Sequence, residues 1–600
     1  MTGRPRTTQE LIHWLEMGGG ARWVRLASLL VCGLAISALV AWRQFHGAPS
    51  ESTLLQADLA RQLASGKGFT TQVNYPQVAA FMKAEGVHFD GAHPYPELYQ
   101  APMYPMVLSL ALGAVRILPH AAWDSVFGPP APPPYGFGAD YLLLCVNLVL
   151  FWWALWLAFS LARRLFGEPA GWLAALALFV SVPAWQQVVA INGSALMMVI
   201  VLLVFHAWWR VESAGEGGPP ALALGVLGAL CGALFLTEYS AGVLVVVAAW
   251  AAARRASGAA RWKAAGLVAG GFALVAGPWV ARNLLVCGLP VGLAVQNIAL
   301  KAGDATAEPS VIHATLSASL PHVDLNKVSN KALTSLQECL RSKVWSGGAM
   351  WLTAFFAAGW LYVFKSAPVN RLRWYFALSF LALITSQAVF NSGDSERQAA
   401  GWLCPLIIVF GAGFFFVLLG SHPLLSQWPR ACAAALLLLQ AIPLLHDALD
   451  PRWLHFQYPP YIPQFYQSMA RQLRNADPEG RYGMMADVPA GLAWYGRERT
   501  WAQPATLHDF YAVQVEQPTG ELLLTPKTLD RPFLSDLNAR AKTPAFLIPV
   551  APRVGDWGEI YGGLLTGTIP REFPLSTPLK LSENLYVLVN PTIPAARSRP

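Results

Sequence analysis

Pro49-Ser50-Glu51-Ser52-Thr53-Leu54-Leu55-Gln56-Ala57-Asp58-Leu59-Ala60-Arg61-Gln62-Leu63-Ala64-Ser65-Gly66-Lys67-Gly68-Phe69 is the stretch whose reading decides the fold. It follows the first long apolar run of the chain. Ser50 has the side chain of a helix N-cap, which puts Glu51 in the first turn, where the helix dipole favours an acid. Leu55, Leu59 and Leu63 recur every fourth position and form one apolar stripe. Asp58 and Arg61 lie off that stripe, at the spacing of a surface ion pair. Gly66 ends the helix. A short amphipathic helix beside a membrane span lies flat in the interface. The stretch therefore sets a carboxylate at the water–lipid boundary. Further on, Tyr99-Gln100-Ala101-Pro102-Met103-Tyr104-Pro105 opens a second apolar helix.

Composition gives the setting for this helix. The 600 residues are 55% hydrophobic and only 13% charged, with positive mean hydropathy, which defines an integral membrane protein embedded in a lipid bilayer. The 24 tryptophans suit interfacial belts. A net charge of +8 is compatible with nucleic acid binding, but the basic residues concentrate in short loops between apolar runs, so topology explains them and no nucleic acid partner is expected. The seven cysteines show no CxxC pair and no zinc spacing, which supports neither a disulfide framework nor a metal site. Arg4, Arg6, Arg22 and Arg25 precede the first apolar run, which lacks a small-residue cleavage site and reads as a signal anchor.

Those arginines put residues 1–25 in the cytoplasm and everything after the first span, from Arg43, outside. Met103–Leu118 is short for a span, which needs about 20 residues. If it crossed, Arg163-Arg164 would fall outside, so we read it as a juxtamembrane helix within an outer loop, 43–140. The remaining spans are expected at 141–162, 170–187, 192–210, 221–237, 239–253, 264–281, 346–364, 373–391, 399–419 and 431–447, about eleven in all. Arg163-Arg164, Arg210, Arg254 to Lys263, Lys365 to Arg373 and Arg430 then all land inside. The weakest join is Thr237-Glu238-Tyr239, between two short runs. Residues 451–600 are less apolar and broken by Pro and Gly. Tyr482–Asp487, Ala545–Val550 and Leu585–Val589 read as strands, Phe465–Leu473 and Phe533–Arg540 as helices: a small, separate outer α/β domain.

The order of motifs resembles the polytopic membrane glycosyltransferases of the GT-C type, such as the protein mannosyltransferases and aminoarabinose transferases. The resemblance rests on an acid after the first span, on Ala60, Leu63, Gly66, Gly68 and Phe69, and on Pro102, Tyr104 and Pro105. Pro278-Trp279-x-x-Arg282-Asn283 and Asp394-x-x-Arg397 ahead of Pro405 are similar to two further family segments, and Trp494-Tyr495 to one in the outer domain. Glu51 stands where the family has Asp followed by a second acid, Gln56 near a usual Tyr, Gln398 at another, and Glu238 where a basic residue is common. The resemblance implies a helical membrane bundle with a large first outer loop and a small C-terminal α/β domain. It also implies inverting transfer of a sugar from a polyprenyl-phosphate donor to a glycan, lipid or protein acceptor on the outer face, without cofactor or metal.

That reaction needs a carboxylate to take the proton of the acceptor hydroxyl and fixed positive charge for the leaving phosphate. Glu51 is the first candidate base; the plainer reading is a helix N-terminal acid. Asp90, in His88-Phe89-Asp90-Gly91-Ala92-His93, is a second acid, and that segment has no strong metal spacing. Arg282 and Arg397 are candidate phosphate binders, against ordinary interfacial snorkelling. Asn283, Tyr104, Lys67 and Glu238 complete the expected substrate contacts, and Glu97 is a further carboxylate. Glu51, Arg282 and Arg397 are expected to converge on one cavity. No nucleotide-binding motif is present. Two other readings stay open: a transport protein such as a lipid-linked glycan flippase, and a degenerate transferase kept as a binding module. A transporter carries its polar groups at mid-membrane, whereas these charges cluster at the outer rim. The register predicts that cysteines placed at Ser125 and Ser576 react with an impermeant reagent in intact cells. A Ser125 site that reacts only after permeabilisation would overturn it.

Overall fold

The computed structural model describes residues 19–45, 47–87, 94–117, 126–128, 136–214, 219–300, 312–343, 351–390, 399–449 and 463–525, with parts of 528–593. Helix α1, Gly19–Gln44, is followed by α2, Glu51–Ala64, strand β1, Val73–Asn74, α3, Pro76–Ala84, and α4, Met103–Ile117. The bundle continues with α5, Gly138–Phe166, α6, Glu168–Phe179, α7, Val182–Val189, α8, Ser194–Glu212, α9, Ala221–Thr237, α10, Leu244–Arg255, and α11, Ala260–Cys287. After α12, Leu325–Glu338, come α13, Trp351–Gly359, α14, Ala367–Phe390, α15, Ala399–Ser421, and α16, Pro429–Leu449. The tail contains α17, Pro463–Ala476, β2, Gly483–Ala486, β3, Thr500–Ala502, α18, Leu507–Glu516, β4, Thr519–Leu524, β5, Thr577–Ser582, and β6, Leu585–Val589.

Every expected span has a helix within its described residues, but length and apolarity qualify seven of them to cross a membrane, or eight if α6 and α7, bent by 55° at their break, form one span. The helices at 103–117 and 221–237 are apolar and shorter. The expected join at Thr237-Glu238-Tyr239 is a true break: Glu238 is extended and a 3-10 turn, Tyr239–Val243, leads into α10. Around α1 the apolar side chains face outward, with Leu29, Leu30, Val31 and Leu34 all at least 50% exposed, as expected of a helix solvated by lipid. Elsewhere small residues bring helices close. A Cβ on Gly228 of α9 would lie 1.9 Å from the Val268 carbonyl oxygen of α11, and one on Gly271 would lie 2.2 Å from that of Gly225. Such contacts replace hydrophobic drive, which lipid removes, with backbone-to-backbone packing.

The tail is built on a six-stranded sheet in the order β1-β3-β2-β4-β6-β5. Strands β1, β3, β2 and β4 are parallel, and β6 and β5 close the sheet antiparallel. Two expected strands and one helix are seen at 483–486, 585–589 and 463–476; Ala545–Val550 and Phe533–Arg540 lie outside the described residues. The expectation of a separate tail is corrected by β1, which belongs to the first long loop: Val73 pairs with Thr500 and Asn74 with Trp501. One continuous apolar core runs from Leu54, Tyr104 and Trp185 to Met484 and Trp494. A second, around Trp501, Phe510 and Leu522, lies on the other face of the sheet.

The close approach of α9 and α11 makes a test. Gly228→Val should lower the melting temperature of the purified protein, through overpacking worth about 1–3 kcal/mol. Gly270→Ala, whose added Cβ meets nothing within 4 Å, should not. Equal melting of the two variants would exclude the backbone contact.

Candidate active site

The site is built around α2. Ser50 is extended (φ −142°, ψ 160°) and its Oγ accepts the Thr53 N–H at 3.3 Å, the expected cap. Residues 53–62 of α2 are all buried, so the helix does not lie with one face in water. The reason is long-range: α4 packs Tyr104, Leu108 and Leu112 on one side, and the tail covers the other. The Asp58–Arg61 pair exists, at 2.6 Å, but it is not a surface pair, since its side chains are 0% and 7% exposed. Arg61 also donates to the carbonyls of Ala493 and Trp494, at 2.6 and 2.7 Å, and to Gln72 Oε1. The other Asp58 oxygen accepts the Thr71 hydroxyl and the Gln72 N–H.

Glu51, half-buried at the head of α2, accepts the Ala490 N–H of the tail on Oε1 at 3.3 Å. Two residues on, the Thr53 hydroxyl donates to the Ala190 carbonyl at 3.0 Å, in the break between α7 and α8. That break is strained and polar. Ile191 is held at φ 46°, a left-handed conformation a β-branched residue rarely adopts. Asn192, 2% exposed, accepts the Ser194 N–H, while its Nδ2 and the nearby Gln187 Oε1 are buried with no hydrogen-bond partner among the described residues. The head of α15 closes this corner: Trp402 Nε1 donates to Ser194 Oγ at 3.3 Å, and a Cβ on Gly401 would lie 3.1 Å from Gln187 Nε2. Through Thr53 the first turn of α2 thus touches a break whose Asn192 and Gln187 were not singled out in the sequence, although Asn-Gly between apolar runs is a turn signal.

A second polar centre lies beyond the middle of α2. Glu97 is 2% exposed, and its Oε1 accepts the N–H groups of Tyr99 and Gln100 at 2.7 and 3.1 Å. Burial pushes its carboxyl up to about 7, against those two N–H groups and the Arg282 charge. Arg282, near the C-terminal end of α11, donates to the carbonyls of Glu97 (3.2 Å) and Phe69 (3.5 Å) and to Asn283 Oδ1 (2.9 Å). Its guanidinium lies 4.9 Å from the centre of the Trp279 ring. Three of its five N–H donors are thereby used. Asn283 is buried and donates to the Pro290 carbonyl.

The expected residues are therefore distributed. Glu51 and Arg282 make no direct contact: Asp58, next to the second centre, is two turns of α2 from Glu51, about 10 Å along the axis. Tyr104 is 1% exposed and its hydroxyl donates to Asn147 Oδ1 at 3.0 Å, within helix packing. Lys67 is exposed on the turn after α2, and Glu238 is half-buried at the α9 break. Asp90 and Arg397 lie outside the described residues. No group of three or more His, Cys, Asp or Glu side chains arranged to hold a metal occurs among the described residues.

This bundle, with its α2–α4 loop and its capping sheet, has the fold of the GT-C-type membrane glycosyltransferases. It is similar to ArnT from Cupriavidus metallidurans, solved bound to undecaprenyl phosphate, with a TM-score of 0.54 and 11% identity, covering 94% of this chain and 98% of that one. The archaeal oligosaccharyltransferase AglB from Archaeoglobus fulgidus, in complex with an inhibitory peptide and a dolichol-phosphate, gives 0.47 and 11%, over 84% of this chain and 69% of that one. No protein-family model and no curated protein matches the sequence.

Glu97 gives a pH dependence with a definite sign. Between pH 4.5 and about 7 the unfolded chain releases this proton while the folded chain keeps it, so stability falls as pH rises through that window and levels off above it. The full effect is about 3 kcal/mol. Glu97→Gln keeps the acceptor oxygen and removes the titration, so its melting temperature relative to wild type should rise between pH 5 and pH 8. A constant difference would rule out a carboxyl held neutral by burial.

Proposed function

We propose that the protein transfers a sugar from a polyprenyl-phosphate donor to an acceptor on the outer face of the membrane, by inverting single displacement. The observation that carries this reading is the Glu51 carboxylate, oriented by the Ala490 N–H at the head of α2, the helix whose Thr53 bonds the polar break at Ala190–Ser194. The fold shared with a protein solved with undecaprenyl phosphate supports the donor class. In this reaction Glu51 takes the proton of the acceptor hydroxyl as that oxygen bonds to the anomeric carbon. The bond to phosphate breaks with its electron pair, and the polyprenyl phosphate leaves with the configuration inverted. Arg282 keeps two N–H donors for the leaving phosphate, and Arg397 is the second cation of this proposal. Asp90 remains its second acid. The glycan, lipid or protein acceptor belongs to the same proposal.

The transport reading loses support at the far end of the bundle. There Glu212 of α8, its side chain 0% exposed, meets Arg371 and Tyr375 of α14 and Arg255 of α10, 3.6 Å away. Alternating access that moved these helices apart would part the buried Glu212 carboxylate from Arg371 and Arg255, whose own side chains are 38% and 25% exposed. The test is turnover of a panel of polyprenyl-phosphate sugars by the purified chain in nanodiscs. Glu51→Gln should lower turnover by roughly 10²-fold with donor binding retained. Unchanged turnover in that variant would remove Glu51 from the mechanism, and donor binding without turnover of any sugar in wild type would favour a binding module.

A further inference from the structure

Asp140 stands in the first turn of α5, 1% exposed, at the start of a long apolar helix. A lone carboxylate there is expensive unless its oxygens are satisfied. Here Oδ1 accepts the Trp494 indole N–H at 2.8 Å and Oδ2 accepts the Tyr495 hydroxyl at 2.8 Å. The Ala48 N–H also donates to this carboxylate. One side chain therefore holds two places at once: the chain three residues ahead of Glu51, and the tail turn 489–496 whose Ala490 touches Glu51. Phe127 and Phe137 pack edge-on around the Trp494 ring, at 5.8 and 6.0 Å between centres. Arg61 grips the same turn from α2, with its guanidinium 5.0 Å from the Trp494 ring centre and bonded to the carbonyls of Ala493 and Trp494.

We infer that Asp140 is a positioning residue: with Arg61 it clasps the tail turn so that the Ala490 N–H holds the Glu51 carboxylate in one orientation. This rests on the reading of Glu51 as the base. It makes the tail part of the active site rather than a cover over it. Asp140 touches no reacting atom; it acts through Glu51. Asp140→Asn keeps the shape but turns one acceptor into an amide donor that must face an N–H or O–H.

The test uses the full chain in nanodiscs. Asp140→Asn should lower kcat for a polyprenyl-phosphate sugar on the order of 10²-fold, because small misplacements of a base are costly, and leave KM for the donor unchanged. In the Glu51→Gln background the same change should cost no more than about twofold, since a positioning residue has nothing left to position. An equal loss in both backgrounds overturns the proposal. Tyr495→Phe, which removes one hydroxyl, repeats the test if Asp140→Asn fails to fold. A readout independent of substrate is the rate at which a carbodiimide modifies Glu51, followed by mass spectrometry. Release of the clasp in Asp140→Asn or Tyr495→Phe should raise it several-fold, and equal rates in wild type and both variants also overturn the proposal. If Glu51→Gln leaves turnover intact while the modification rate changes, the clasp stands and the assignment of the base falls.

Discussion

A guanidinium and a carboxylate buried side by side hold the two halves of this protein together. Taking Arg61 and Asp58 out of water costs several kcal/mol per ion, and their mutual attraction offsets this only if the remaining donors and acceptors are filled. They are. Arg61 reaches two tail carbonyls and Gln72, and Asp58 takes the Thr71 hydroxyl and the Gln72 N–H. The charges are thus satisfied only in the assembled state, with α2, the 71–72 turn and the tail all in place. With the tail undocked, Arg61 would exchange its two tail carbonyls and the Trp494 ring for water. Docking the tail completes the hydrogen bonds of a charge that the fold then buries.

The break between α7 and α8 has the opposite character. Helices in a bundle satisfy their own backbone, so an interruption is tolerated only where protein or a water-filled space takes over the freed groups. Here Thr53 takes the Ala190 carbonyl and Asn192 caps Ser194. The left-handed Ile191 stores strain at the same point. Next to it the amides of Asn192 and Gln187 each keep one atom without a partner among the described residues, so the break is both strained and polar.

Features encoded within a few residues were legible in the sequence. Ser50 caps α2, α4 runs over 103–117, the chain breaks at Glu238, and β6 occupies 585–589, because caps, hydropathy and alternation act locally. The motif order also led to the fold. The burial of Asp58 and Arg61 was not legible, since an i,i+3 pair looks the same in water, and what covers it lies 433 residues away. Nor did two-residue β1 show a period from which a strand could be read. For the site, Glu51 was found at the head of its helix, but Asp140, counted only as the last residue of the outer loop 43–140, and Glu97 take their roles from distant partners. Asn192 carried a turn signal and nothing more.

The pairing of β1 with β3 sets a schedule for biosynthesis. Val73 and Asn74 emerge early, while the Thr500 and Trp501 they bond to follow about 430 residues later, which at 5–20 residues per second is roughly 20–85 s. For that interval the first long loop must wait beside the growing bundle with its strand edge unsatisfied and the Arg61 charge without its carbonyls. A nascent chain stalled before residue 500 would present that open edge to any neighbour able to add a strand, and the last fifth of the chain is what closes it.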